Sequence, residues 1–147
     1  VKLHIPVGAT DSEHAFCWIL DQLHFKFADK EPAATVLFKF IAELSVKINA
    51  LGVFNVNITN GQYLFAYCAN NLHWITRRAP FGKASLIDAE VVINFTEETT
   101  ENDVVTVIAT QPLTDNETWH KMTKGQWHLF CLGESIASGQ EVLKVEY

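Results

Sequence analysis

The residues best placed to do chemistry are Thr10-Asp11-Ser12-Glu13, which follow Val7-Gly-Ala. A Thr-x-x-Glu frame is a capping box: the Thr10 hydroxyl accepts from the Glu13 amide, and the Glu13 carboxylate reaches back to the Thr10 amide. Asp11 has no part in that reciprocal pair. In the first turn of a helix its charge is favoured by the dipole, and its side chain is left to hold a cation or an ammonium group. On spacing alone, capping accounts for Asp11 as well.

The other reactive residue types form no constellation. Cys17, Cys68 and Cys131 are scattered, with no CxxC pair and no zinc spacing. Each sits in an apolar run and reads as a small buried hydrophobe in a reduced compartment. No metal and no cofactor is expected. His14 and Trp18, four residues apart, read as packing partners. His73-Trp74 with Arg77-Arg78 reads as a strand whose alternate residues face solvent and core. His120 and His128 flank a hairpin and lack a third ligand. The four tryptophans, Trp18, Trp74, Trp119 and Trp127, read as anchors of the core and its edges.

Two helices must position Asp11. Phe16, Ile19, Leu20 and Leu23 predict one apolar face between Thr10 and about His24, with Trp18 at its edge and Asp11, Glu13 and Asp21 largely off it. Val36, Leu37, Phe40, Ile41, Leu44, Ile48 and Leu51 predict a second helix that starts near Pro32 and stops at Gly52. Beyond it the period changes to two. Strands are expected at Val53–Thr59 and Gln62–Cys68, joined at Asn60-Gly61 by a type I′ turn, then at His73–Arg78 before a break at Pro80-Phe-Gly82. Further strands are expected at Val91–Phe95, Val104–Thr110, Gln126–Leu132 and Val142–Val145. Thr96–Asp103 reads as an acidic loop, and Asp115–His120 as a turn or short helix. Segregated helices and antiparallel strands define an α+β class.

Composition bounds the function. The chain has 147 residues, 48% apolar and 19% charged, as in a globular domain with a real core. Its formal charge of −6 and the lack of a basic tract argue against nucleic acid as a partner. No apolar run is long enough to span a membrane. The three Asn-x-Thr sequons, at Asn57, Asn94 and Asn116, carry little weight without a secretory signal. The chain reads as cytoplasmic.

The chain also resembles one bacterial branch of stand-alone class II glutamine amidotransferases. The resemblance rests on an ordered series: Asp11-Ser-Glu-His-Ala-Phe-Cys-Trp18, Gly52-Val-Phe-Asn55, Asn71-Leu-His-Trp-Ile-Thr-Arg-Arg-Ala-Pro-Phe-Gly82, Asn102-Asp-Val-Val-Thr-Val-Ile-Ala-Thr-Gln-Pro-Leu113, Asn116-Glu-Thr-Trp119 and Gly125-Gln-Trp-His-Leu-Phe-Cys-Leu-Gly133. It implies an N-terminal-nucleophile hydrolase fold, a layered αββα sandwich with antiparallel sheets. It implies hydrolysis of the side-chain amide of glutamine or of a related γ-glutamyl amide. It also implies that Asp11 binds the substrate α-amino group.

In that family the nucleophile is an amino-terminal cysteine, its own α-amino group acting as base, and an Asn-Gly pair ahead of the Asp11 motif forms the oxyanion hole. Residue 1 here is Val1, and Asn60-Gly61 follows the motif, so no catalytic residue is assigned. The expectation is a single partial domain over residues 1–147, the C-terminal portion, inactive alone. Its partners would be glutamine or a γ-glutamyl small molecule, and the absent N-terminal portion or a second copy of the chain. The alternatives are an inert fragment or subunit that completes a sheet sandwich with another chain, and a hydrolase of glutathione-related γ-glutamyl peptides.

Overall fold

A computed structural model describes residues 2–28, 30–87, 92–94 and 100–141. The chain divides into two compact units, Val1–Gly52 and Val53–Tyr147.

The first unit holds α1 (Asp11–Phe27) and α2 (Ala34–Asn49). Thr10, with φ −80° and ψ 140°, ends the extended approach, and its hydroxyl accepts from the Glu13 amide as expected. α1 runs one turn further than its polar pattern suggests, through Phe25, Lys26 and Phe27. That extra turn is used in packing. The Phe27 ring meets Phe40 of α2 edge to face at 5.8 Å, and the Lys26 ammonium sits 3.6 Å from the Phe40 ring centre. The buried face of α2 is Phe38, Ile41, Ala42, Leu44, Ser45 and Val46. Val36 and Leu51, expected on that face, are exposed. Counting large apolar residues misplaces the stripe because its middle is made of the small residues Ala42 and Ser45, both fully buried. Ser45 joins an apolar face at no polar cost by donating its hydroxyl to the Ile41 carbonyl at 2.8 Å.

Among the described residues the second unit contains nine strands: β1 (Val56–Thr59), β2 (Leu64–Tyr67), β3 (His73–Arg78), β4 (Lys83–Ser85), β5 (Val92–Asn94), β6 (Val104–Ala109), β7 (His120–Lys121), β8 (Gln126–Cys131) and β9 (Glu134–Gln140). They form antiparallel sheets in the orders β1-β2-β8-β9, β6-β3-β7 and β4-β5. One core cluster joins the first two sheets. Leu64, Ala66 and Phe130 from one, and Trp74 and Ile108 from the other, pack around Cys68, Leu72 and Met122. The fold is therefore the expected α+β class with antiparallel sheets. Among the described residues no helix is long and apolar enough to cross a membrane.

Two turns depart from expectation. Asn60-Gly61 does not form a two-residue type I′ turn, because only Gly61 has positive φ; the last strand pair is Thr59 with Leu64. The Asn60 carboxamide oxygen takes the Gln62 and Tyr63 amides at 3.2 and 2.9 Å and so widens the loop. Among the described residues the pair with both φ values positive is Leu132 (49°) and Gly133 (78°), between β8 and β9. β9 itself is polar and small-residue-rich, and it carries no strand signal of its own. Its pairing to β8, Trp127 with Gly139 and Cys131 with Glu134, is what makes it a strand. The strand expected at Val142–Val145 lies outside the described residues, as do both ends, Val91 and Phe95, of the strand expected there and residues 96–99 of the acidic loop.

Candidate substrate-binding site at the start of α1

Asp11 is the first residue of α1 and is exposed. Its Oδ1 accepts from the Ser12 amide at 2.8 Å. Its Oδ2 has no hydrogen-bond partner among the described residues. One oxygen thus fixes the carboxylate against the helix start while the other stays available, which suits recognition of an ammonium group. The Thr10 hydroxyl takes the Glu13 amide and the Ser12 hydroxyl, each at 3.4 Å. The His14 amide closes the first helical bond to the Thr10 carbonyl at 3.2 Å.

Glu13 departs from the capping box. Its carboxylate does not return to the Thr10 amide but spans two earlier ones, Oε1 accepting from Val7 at 2.7 Å and Oε2 from Gly8 at 2.9 Å. Gly8 makes room for this. A Cβ there would stand 2.7 Å from Glu13 Oε2, and the Gly8 backbone is outside the left-handed region, so space is the reason for glycine. The sequence signal for this arrangement was the glycine five residues ahead of Glu13.

A second carboxylate on α1 also organises the approach. Asp21, expected off the apolar face, is only 5% exposed. It takes the Leu3 amide at 3.2 Å, the His4 amide at 2.9 Å and the His4 ring Nδ1–H at 2.7 Å. Burial pushes its pKa up, but the His4 ring and the two amides outweigh that and hold it below the ordinary carboxylate value. Amphipathic patterning cannot reveal such a residue, because its partners lie 17 and 18 positions away.

The remaining candidates separate from Asp11. His14 and Trp18 are exposed and make no ring contact with each other among the described residues. On β3 the basic residues are neutralised. Arg77 donates from Nε and Nη2 to the two oxygens of Glu117 at 2.7 and 2.5 Å, and Arg78 pairs with Glu134 of β9. Glu117 also accepts from the Thr114 hydroxyl at 2.6 Å, and Thr114 in turn accepts from Trp119 Nε1 at 2.9 Å. The Arg77 bonds hold the Glu117 pKa down, against burial. His73 is buried and donates its Nδ1–H to the Thr110 carbonyl at 3.2 Å.

His120 and His128 both pack on Trp74, with ring centres 4.4 and 5.1 Å from the indole. Gln126 Oε1 takes the Thr123 amide, so Gln126 Nε2 is the donor to His128 Nε2 at 3.1 Å. His128 is therefore neutral and carries its proton on Nδ1, which donates to Ser135 Oγ at 3.0 Å. Burial lowers its pKa, and the neighbouring His120 lowers it further. Among the described residues no group of three His, Cys, Asp or Glu could hold a metal ion. The three cysteines are free thiols, and burial raises the Cys68 pKa, away from thiolate character.

A profile of the family described as Glutamine amidotransferases class-II matches residues 1–146. YafJ of Escherichia coli K12, whose name assigns it provisionally to the glutamine amidotransferases, is 56% identical over 131 residues, covering 89% of this chain and 51% of that protein. A Haemophilus influenzae Rd protein with the same provisional name is 42% identical over 132 residues, covering 90% of this chain and 45% of its own length. A 2.0 Å crystal structure of a Pseudomonas aeruginosa PA01 protein, given the same assignment in its title, superposes with a TM-score of 0.82 at 44% identity. It covers 93% of this chain and 54% of that one. The chain thus spans about half the length of these relatives.

Proposed function

Because the chain belongs to the class II glutamine amidotransferase family, we propose that it forms the substrate-amine-binding part of an enzyme that hydrolyses the side-chain amide of glutamine or of a related γ-glutamyl compound. The observation that carries this reading is Asp11: one carboxylate oxygen is tied to the Ser12 amide and the other is without a partner among the described residues.

In the reaction, a thiolate adds to the amide carbonyl and its negative charge moves to the oxygen, where hydrogen-bond donors stabilise it. The nitrogen takes a proton and leaves as ammonia, giving a thioester that water hydrolyses to the acid. In this reading the thiolate, its base and the oxyanion donors come from residues ahead of the Asp11 motif. Cys17 inside α1 and buried Cys68 do not match that role. Asp11 contributes recognition. Pairing with the α-ammonium group fixes the far end of the substrate and so the distance to its amide. Every γ-glutamyl compound with a free α-amino group presents that same end. Free thiols at Cys17, Cys68 and Cys131 support placement in the reducing cytoplasm.

The test is glutamine hydrolysis by the full-length gene product and its Asp11→Asn variant. Removing a charge-assisted contact to substrate should lower kcat/KM by roughly 10- to 100-fold, mostly through KM. Unchanged kinetics in the variant defeats the assignment.

A further inference from the structure

The Glu13 carboxylate makes two hydrogen bonds that neither capping nor substrate binding requires. We propose that Glu13 is a positioning residue: by bridging the Val7 and Gly8 amides it fixes the chain entering α1 and so sets the direction of the Asp11 carboxylate toward the substrate ammonium group. This proposal rests on the reading of Asp11 given above.

The geometry carries it in three steps. Each oxygen of Glu13 takes one amide, at 2.7 and 2.9 Å, so two consecutive backbone donors are held by one rigid planar group. A carboxylate suits two donors; a carboxamide offers one acceptor atom and turns its own N–H toward the second amide. The clasp closes at Gly8, where a Cβ would fall 2.7 Å from Oε2. From Gly8 only Ala9 intervenes before Thr10, whose extended backbone and hydroxyl start the helix. Asp11 is the next residue, anchored by a single bond from the Ser12 amide. The direction of its Oδ2 therefore depends on how the chain enters the helix, and the clasp is what holds that entry.

A helix-stabilising role alone predicts something different from a positioning role. The experiment compares glutamine with glutaramate, which carries hydrogen in place of the α-amino group, as substrates of the full-length protein. Asp11→Asn should abolish the preference for glutamine. Glu13→Gln should reduce that preference roughly tenfold, while leaving glutaramate turnover within about twofold of wild type. Gly8→Ala should do the same, since its Cβ meets only the end of a flexible side chain and displaces the carboxylate without unfolding the unit. In the Asp11→Asn background, Glu13→Gln should add nothing.

Equal losses on both substrates, or an unchanged preference in Glu13→Gln, overturn the positioning role. If Asp11→Asn keeps the preference for glutamine, the parent reading fails instead. Calorimetric binding of the same two compounds gives the same ratio when turnover is too slow to measure, and a wild-type protein that binds neither overturns both.

Discussion

Replacing Gly133 by alanine tests the turn that joins β8 to β9 and its contact with β6. The added Cβ would stand 2.4 Å from the Val104 carbonyl oxygen and 2.8 Å from its carbon. These are backbone atoms of a strand held in register by β3, Val104 opposite Arg78, so neither side can give way cheaply. Overpacking of this kind costs about 2 kcal/mol. Holding an alanine at φ 78° adds about 1 kcal/mol. Moving the turn also stretches the 2.6 Å bond from the Thr106 hydroxyl to the Gly133 carbonyl, worth about 1 kcal/mol. The smaller conformational freedom of the unfolded alanine chain offsets about 0.7 kcal/mol of this. The net expected loss is about 3 kcal/mol, a large share of the stability of an ordinary domain.

Urea unfolding followed by circular dichroism measures it, as a lower midpoint at constant slope. A loss below about 1 kcal/mol would refute the claim that β6 bears rigidly on this turn. The neighbouring residue supplies an opposite control. Leu132 is 89% exposed and held at φ 49° with no packing to repay the strain. Leu132→Asn should stabilise by about 0.5 kcal/mol, since asparagine tolerates the left-handed region and Asn-Gly suits such a turn.

Three further outcomes are expected. Glu117→Gln removes the charge that both Arg77 bonds depend on, in a pair whose side chains are 14% and 19% exposed, and should cost about 2 kcal/mol in thermal or urea unfolding. Asn116→Ala should cost less, about 0.5–1 kcal/mol by the same measurement. The Asn116 carboxamide caps β4 by taking the Ser85 amide and donating to the Lys83 carbonyl, both where water can replace it. Finally, the folded state holds His128 neutral below its ordinary pKa of 6.5. The unfolded chain then binds more protons as pH falls through 6.5, so this contribution is complete above that value and is lost toward the lower folded pKa. Unfolding free energy should fall between pH 6.5 and 5.5 by at most about 1.4 kcal/mol per unit, and His128→Asn should flatten that slope.

The parts of the molecule visible in the sequence are those set by local periodicity. β3 occupies His73–Arg78 as its alternation predicts, and the capping frame at Thr10 marks the start of α1. What escaped depends on partners distant in the chain. Asp21 looks like a solvent-facing acid until Leu3 and His4 are brought to it. The two residues of β7 become a strand only through His73 and Trp74. At the candidate site, the place of Asp11 in the first turn of α1 was legible, and the clasp was not. A capping box names its glutamate without saying which amides that glutamate will find. Asn60-Gly61 failed as a type I′ signal for a related reason: the Asn60 side chain competed for the loop amides.

The edge of the four-stranded sheet has one more property. The Trp127 indole is buried, its Nε1 has no hydrogen-bond partner among the described residues, and the ring lies where a Gly139 side chain would otherwise project from β9. Trp119, by contrast, donates its Nε1 to Thr114. A shielded indole proton with no acceptor exchanges with solvent only when its cover lifts. That proton therefore acts as a clock for the opening of the edge strand, readable from one NMR resonance without any label placed in the protein.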